Sequence, residues 1–216
     1  GCDEGGEPVP GARQALMESQ TRAALGLVGP MPSGPGVIED SLIREIAAQT
    51  PPGISSFLLT SETAAADIIA HHRKVSTSVI QLVDAVAHDA YAEIRAAAPA
   101  VKLVQVIHVV GAENVDEALR IAPYVDALLL DSGNPRLAVK ELGGTGRTHN
   151  WQLSREIVER AAVPVYLAGG LKPENVREAI ETVKPFGLDL CSGVRTHGKL
   201  DAVKLAAFFK AAHSAD

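Results

Sequence analysis

Short apolar runs recur along the chain at residues 24–28, 54–59, 78–82, 101–108, 125–130, 163–168 and 187–191. Most are continuous instead of alternating, which predicts parallel strands covered on both faces. The segments between them carry helical spacing. Val115, Ala118, Leu119 and Ala122 stand at i, i+3, i+4 and i+7, and Val176, Ala179, Ile180 and Val183 repeat that interval, so each segment has one stripe to bury. Further helices are expected at 40–49, 61–73, 88–97, 152–162 and 201–212, and another at 12–20. Pro99, Pro164 and Pro185 fall where a helix gives way to a strand. Strict alternation of strand and helix without a flexible linker predicts one parallel α/β domain over residues 1–216, either a closed eight-fold barrel or an open doubly wound sheet. Seven strands are visible. An eighth would have to precede residue 12, where Gly1 to Pro10 offer almost no strand-forming residues.

Composition narrows the functional classes. The 216 residues carry 20 Lys and Arg against 26 Asp and Glu, a formal charge of -6, which argues against a nucleic-acid binder that works by bulk positive charge. Hydrophobic residues make up 46% of the chain, enough for a large core and too many for intrinsic disorder. Cys2 and Cys191 form neither a disulfide framework nor a zinc spacing, so no metal is expected. No apolar run approaches the roughly 18 residues that span a bilayer, and the segment before Thr21 has no signal-peptide core. The expectation is a cytoplasmic protein without a membrane partner.

In a parallel barrel, functional groups gather at the carboxyl ends of the strands. Asp131 follows Leu128-Leu129-Leu130 there, and the connection after it runs for 20 residues through Gly143-Gly144-Thr145-Gly146. Loops of that length are usually functional. Ala168-Gly169-Gly170-Leu171 and Ser192-Gly193-Val194 leave the next two runs. Glycines there let backbone N–H groups approach an anion, and the loops after the last two strands of this fold are a frequent phosphate site. His108 and Asp84 also stand near strand ends and are further pocket candidates. His71-His72-Arg73-Lys74 reads as a helix end whose cations suit the dipole, and Cys191 as a small buried residue.

Four linked motifs carry a resemblance. They are Leu128-Leu129-Leu130-Asp131-Ser132, Gly143-Gly144-Thr145-Gly146-Arg147-Thr148-His149-Asn150-Trp151, Leu167-Ala168-Gly169-Gly170-Leu171-Lys172-Pro173-Glu174-Asn175-Val176, and Asp189-Leu190-Cys191-Ser192-Gly193-Val194. In order and spacing they resemble phosphoribosylanthranilate isomerase, and Ile80-Gln81-Leu82 is similar to that family's Gln-Leu-His-Gly element. The resemblance implies a (βα)8 barrel without cofactor that performs an Amadori rearrangement of a phosphoribosyl amine in tryptophan biosynthesis. It also implies Asp131 as general acid and a cysteine ending the first strand as general base, a place only Cys2 can take. Gly144, Gly146, Gly169, Gly170, Ser192 and Gly193 would grip the phosphate of a small sugar-amine substrate, in a monomer or homodimer. Three departures stand out. The family's opening Lys-Ile-Cys-Gly-Ile-Thr strand has no counterpart beyond Cys2, its carboxylate-holding arginine is absent from Pro30-Met31-Pro32-Ser33-Gly34-Pro35-Gly36, and its Val-Glu is Val194-Arg195 here. Two alternatives therefore stand beside the isomerase: a paralogue acting on another sugar phosphate, and a non-catalytic barrel that binds a phosphorylated metabolite.

Overall fold

The computed structural model describes residues 24–31, 36–133 and 148–214. Seven strands lie in chain order in one sheet: β1 (Ala24–Val28), β2 (Ser55–Thr60), β3 (Val79–Leu82), β4 (Lys102–His108), β5 (Ala127–Asp131), β6 (Val165–Leu167) and β7 (Gly187–Leu188). All six neighbouring pairs are parallel. Parallel neighbours require a crossover, and helices supply it: α1 (Asp40–Gln49), α2 (Ala65–Val75), α3 (His88–Ala97), α4 (Glu113–Ile121), α5 (Trp151–Arg160) and α6 (Val176–Val183). A last helix, α7 (Ala202–His213), closes the described chain. The expected helix at 12–20 and any strand before it lie outside the described residues, as do Cys2, Gly144 and Gly146.

Alternation along each strand divides the core into two layers. Ile80, Leu82, Leu103, Ile107, Leu128, Leu130, Val165 and Leu167 pack outward with the helices. Val79, Val83, Val104, Val106, Ala127, Leu129 and Ala168 form the opposite layer, joined by Phe57, Leu59 and Tyr166. Because side chains switch faces at every residue, a polar residue two positions after Leu129 or Val106 falls on the inner layer. Asp131 and His108 are those residues, and they are register partners at the carboxyl end of the sheet.

Several boundaries differ from the sequence expectation for local reasons. The run at 163–168 pairs only as Val165–Leu167, since Pro164 has no N–H to donate. The run at 187–191 pairs only as Gly187–Leu188, after which the amide of Asp189 still donates to the Leu167 carbonyl at 2.9 Å. The helix expected from residue 61 starts at Ala65, because the Thr60 hydroxyl accepts the Glu62 amide and holds that segment out of helical geometry. An unexpected hairpin, β8 (Arg195–Thr196) with β9 (Lys199–Leu200), turns through His197 and Gly198. Both have positive φ, 51° and 78°, as a type I′ turn demands.

Histidine 71 turns out to be more than a helix-end cation. It is buried, its Nε2–H donates to Asp40 at 2.9 Å, and its Nδ1 accepts from the Thr60 hydroxyl at 3.0 Å. One imidazole thereby ties the start of α1 to α2 and to the end of β2.

At the opposite end of the sheet, Asp126 staples the starts of β4 and β5. Its carboxylate accepts the Leu103 amide at 2.9 Å, Lys102 Nζ at 3.1 Å and Arg95 Nη2 at 3.1 Å. Desolvation raises its proton affinity, but the Leu103 amide, Lys102 and Arg95 outweigh it and leave the pKa below the ordinary value. A depressed folded pKa supplies stability above the unfolded pKa and loses it as pH falls. Asp126→Asn should cost about 1–3 kcal/mol at pH 7, read by urea unfolding, and the difference from the parent should shrink as pH drops through the carboxylate range.

Candidate active site

The carboxyl ends of β4, β5 and β7 bring three titratable side chains to one face. Asp131 is buried as the last residue of β5. Asp189 follows β7 between Leu188 and Leu190, both of which pack toward the helices, so alternation turns its carboxyl inward like that of Asp131. His108 ends β4 beside Asp131. A small cleft of about 50 Å³ opens there, lined by Asp131, Ala168, Gly169, Gly170, Leu171, Asp189, Leu190, Cys191 and Ser192. A larger open groove of about 650 Å³, lined by Glu113, Asp116, Leu119, Arg120 and Arg160, lies on the outside of α4 and α5. No strand end reaches that groove, so the chemistry belongs to the cleft.

Electrostatics set the two acids apart from ordinary surface carboxyls. Burial raises the proton affinity of Asp131, opposed by the amides of Ser132 and Gly133 and by His108. Asp189 is pushed up to about 6 by desolvation first and by the charge of Asp131 second, with the Leu190 amide pulling the other way. Two like charges in one desolvated cleft hold on to a proton between them. His108 donates Nε2–H to the Val83 carbonyl at 2.9 Å, since a carbonyl can only accept, and its buried Nδ1 has no protein partner. His149, just before α5, pairs through Nε2 with the Ser154 hydroxyl at 2.6 Å, and burial pushes it down to about 4.

The glycines have structural reasons of their own. Gly169 has φ +84°, and a Cβ there would come within 2.7 Å of Ser132 Oγ and 2.8 Å of the Ser132 amide. The loop after β6 can therefore press against the residue following Asp131 only if position 169 has no side chain. A Cβ on Gly193 would overlap the carbonyl of Leu171, so the loop after β7 packs directly on the loop after β6. These two glycines lock three strand-end loops together around the cleft.

Of the residues singled out from sequence, Asp131, Gly169, Gly170 and Ser192 line the cleft, and Gly193 packs beneath it. Cys191 differs from its expected role as a small buried residue: it is half-buried and faces the cleft, because the strand ends at Leu188, three residues before it. Asp189 stands in the last sequence motif but is not among the candidate residues that the sequence points to. The signal that identifies it is an acid between two leucines in a parallel strand, where alternation leaves no outward position for the carboxyl. Asp84 lies at the end of β3 with its carboxylate on the Ala85 amide at 2.8 Å.

The raised proton affinity of Asp189 has a stability consequence. The folded chain binds a proton that the unfolded chain releases, so stability is present below the unfolded pKa and is lost as pH rises toward about 6. Asp189→Asn should raise the Tm above pH 6 and bring no gain near pH 4, measured by calorimetry across that range.

Comparison with known proteins identifies the family. A family model described as N-(5'phosphoribosyl)anthranilate isomerase matches residues 40–211. The chain is 37% identical over 205 residues to the N-(5'-phosphoribosyl)anthranilate isomerase of Haloferax volcanii, covering 93% of this chain and 88% of that one. With the enzyme of the same name from Methanocella arvoryzae it shares 32% over 186 residues, 86% and 85% of the two chains. The crystal structure of phosphoribosyl anthranilate isomerase from Thermotoga maritima superposes with a TM-score of 0.77 at 26% identity, over 97% of this chain and 96% of that one. With seven consecutive parallel strands, their covering helices and a strand-end acid in place, the chain belongs to the N-(5'-phosphoribosyl)anthranilate isomerase family and has its TIM-type barrel fold.

Proposed function

We propose that this chain isomerises N-(5'-phosphoribosyl)anthranilate to the corresponding 1-deoxyribulose 5-phosphate, an Amadori rearrangement within tryptophan biosynthesis. The observation that carries the reading is the shared cleft: a buried carboxyl of raised proton affinity, Asp131, opens onto the same space as Gly169, Gly170 and Ser192. The chemistry needs both parts. Opening the furanose requires a proton on the ring oxygen as the bond to C1 breaks, and Asp131 is the proposed donor. Removing the proton from C2 then gives the enolamine, which tautomerises to the ketose. Positioned acid and base groups contribute on the order of 10²-fold to 10⁴-fold each.

Backbone amides around Gly169, Gly170, Ser192 and Gly193 are the proposed grip on the phosphate, together with Gly144 and Gly146 from the long loop. Fixing the phosphate holds C1 and C2 against the catalytic groups. Asp189 has a supporting role in this reading, since its negative charge, when present, favours the protonated form of Asp131. The proposed base is Cys2, in the segment before β1 where the family carries its cysteine. The cleft holds a second thiol in Cys191, which gives the base one alternative source.

Asp131→Asn tests the central claim. The amide preserves shape without donating an acidic proton, so kcat should fall by about 10²-fold to 10⁴-fold while affinity for the product stays near that of the parent. Full turnover in this variant removes Asp131 from the mechanism. Cys2→Ser and Cys191→Ser, assayed side by side by the fluorescence of phosphoribosylanthranilate, assign the base: the reading expects turnover to collapse in the first and persist in the second. The reverse pattern transfers the role to the thiol in the cleft.

A further inference from the structure

We propose that Arg195 holds the carboxylate of the substrate's anthranilate ring, reaching it from the loop after the last parallel strand. This inference rests on the isomerase reading and adds a specificity residue to it. The substrate has two anionic ends, a phosphate and a ring carboxylate, and the cleft between them already contains Asp131 and Asp189. A carboxylate brought beside two acids needs a cation to offset the repulsion.

Cations at the described strand ends are few. Residues 29–39, which leave β1, contain no Lys or Arg. Among the described residues leaving the strand ends, Lys172, Arg195 and Lys199 carry a permanent positive charge, and Lys199 is exposed. Lys172 is exposed. Arg195 is half-buried, and its Nη2 lies 3.5 Å from the point where a Cβ on Gly36 would stand. The guanidinium thus crosses from the loop after β7 to the loop after β1, over the seam between the first and last strands of the described sheet. Because residue 36 is a glycine, the space beside it is open to that guanidinium.

The arginine is also held ready. Its Nη1 donates to the Gly198 carbonyl at 2.7 Å within the β8–β9 hairpin, and the Arg195 carbonyl accepts from Lys204 Nζ at 3.0 Å. No carboxylate among the described residues pairs with it. A planar guanidinium with donors to spare suits bidentate capture of a carboxylate. The phosphate cradle, by contrast, is made by loops 169–172 and 192–193 packed on one another. Arg195 departs from that pair toward Gly36, which places it on the ring side.

The test compares two ligands that differ only in the carboxylate: the reduced product analogue, 1-(o-carboxyphenylamino)-1-deoxyribulose 5-phosphate in reduced form, and its phenylamino counterpart. Affinities are read by calorimetry, so the result does not depend on turnover, while turnover of phosphoribosylanthranilate by the parent chain separately tests the reaction. In the parent, the carboxylated ligand should bind roughly 10-fold to 100-fold more tightly. Arg195→Ala should bring that ratio close to one with the phenylamino ligand unchanged, and Arg195→Lys should give an intermediate ratio. Equal loss on both ligands would reassign Arg195 to the phosphate or to loop structure, and an unchanged ratio would remove it from recognition. Should the alanine variant misfold, Arg195→Gln reads the same ratio without the charge.

Discussion

Two carboxyl groups confined to one desolvated strand-end cleft form the constraint around which this site is organised. Neither Asp131 nor Asp189 has a basic side chain as a direct ion-pair partner among the described residues; burial raises the hold of both on a proton, and the charge of Asp131 adds to it at Asp189. That arrangement costs stability, and in the proposed mechanism it supplies the proton donor. The contrast with Asp126 shows that residue type alone does not set behaviour. Asp126 stands at the other end of the same sheet with an amide, a lysine and an arginine on its oxygens, and its pKa moves down. One end of the sheet uses an acid as a staple, and the other keeps its acids desolvated in a cleft.

The glycine loops serve this arrangement first as packing elements. Gly169 lets its loop lie against Ser132, and Gly193 lets the next loop lie against Leu171. The close approach of three successive loops puts backbone amides near the two acids without the intervention of side chains. The anion-binding surface proposed for these loops, being built from backbone, is compatible with acids a short distance away, because amide dipoles supply positive potential without a titrating group. Arg195 adds a full charge beside Gly36, in the loop after the first described strand.

The alternation rule explains why some of these residues were legible early. Asp131 ends a run of three leucines, and its inward direction follows from the period of a parallel strand. His108 follows from the same rule. Asp189 obeyed it too, but its strand pairs over only two residues and the flanking leucines read as plain core. The hairpin after β7 had its signal in His197-Gly198, a pair able to adopt positive φ, set in a segment too short to stand out by hydrophobic pattern.

By itself the sequence determined the alternation of strands and helices, the strand-end position of Asp131 and the glycine loops, and the family, because all of these are local in the chain. Tertiary structure decided which of those groups meet. It set Asp189 beside Asp131, turned Cys191 toward the cleft, drew His71 into a buried tie between Asp40 and Thr60, and carried Arg195 across to Gly36. The reason is physical: proton affinity and partner choice depend on desolvation and on charges brought close by packing. These distances run between strands, and the linear order of residues does not encode them.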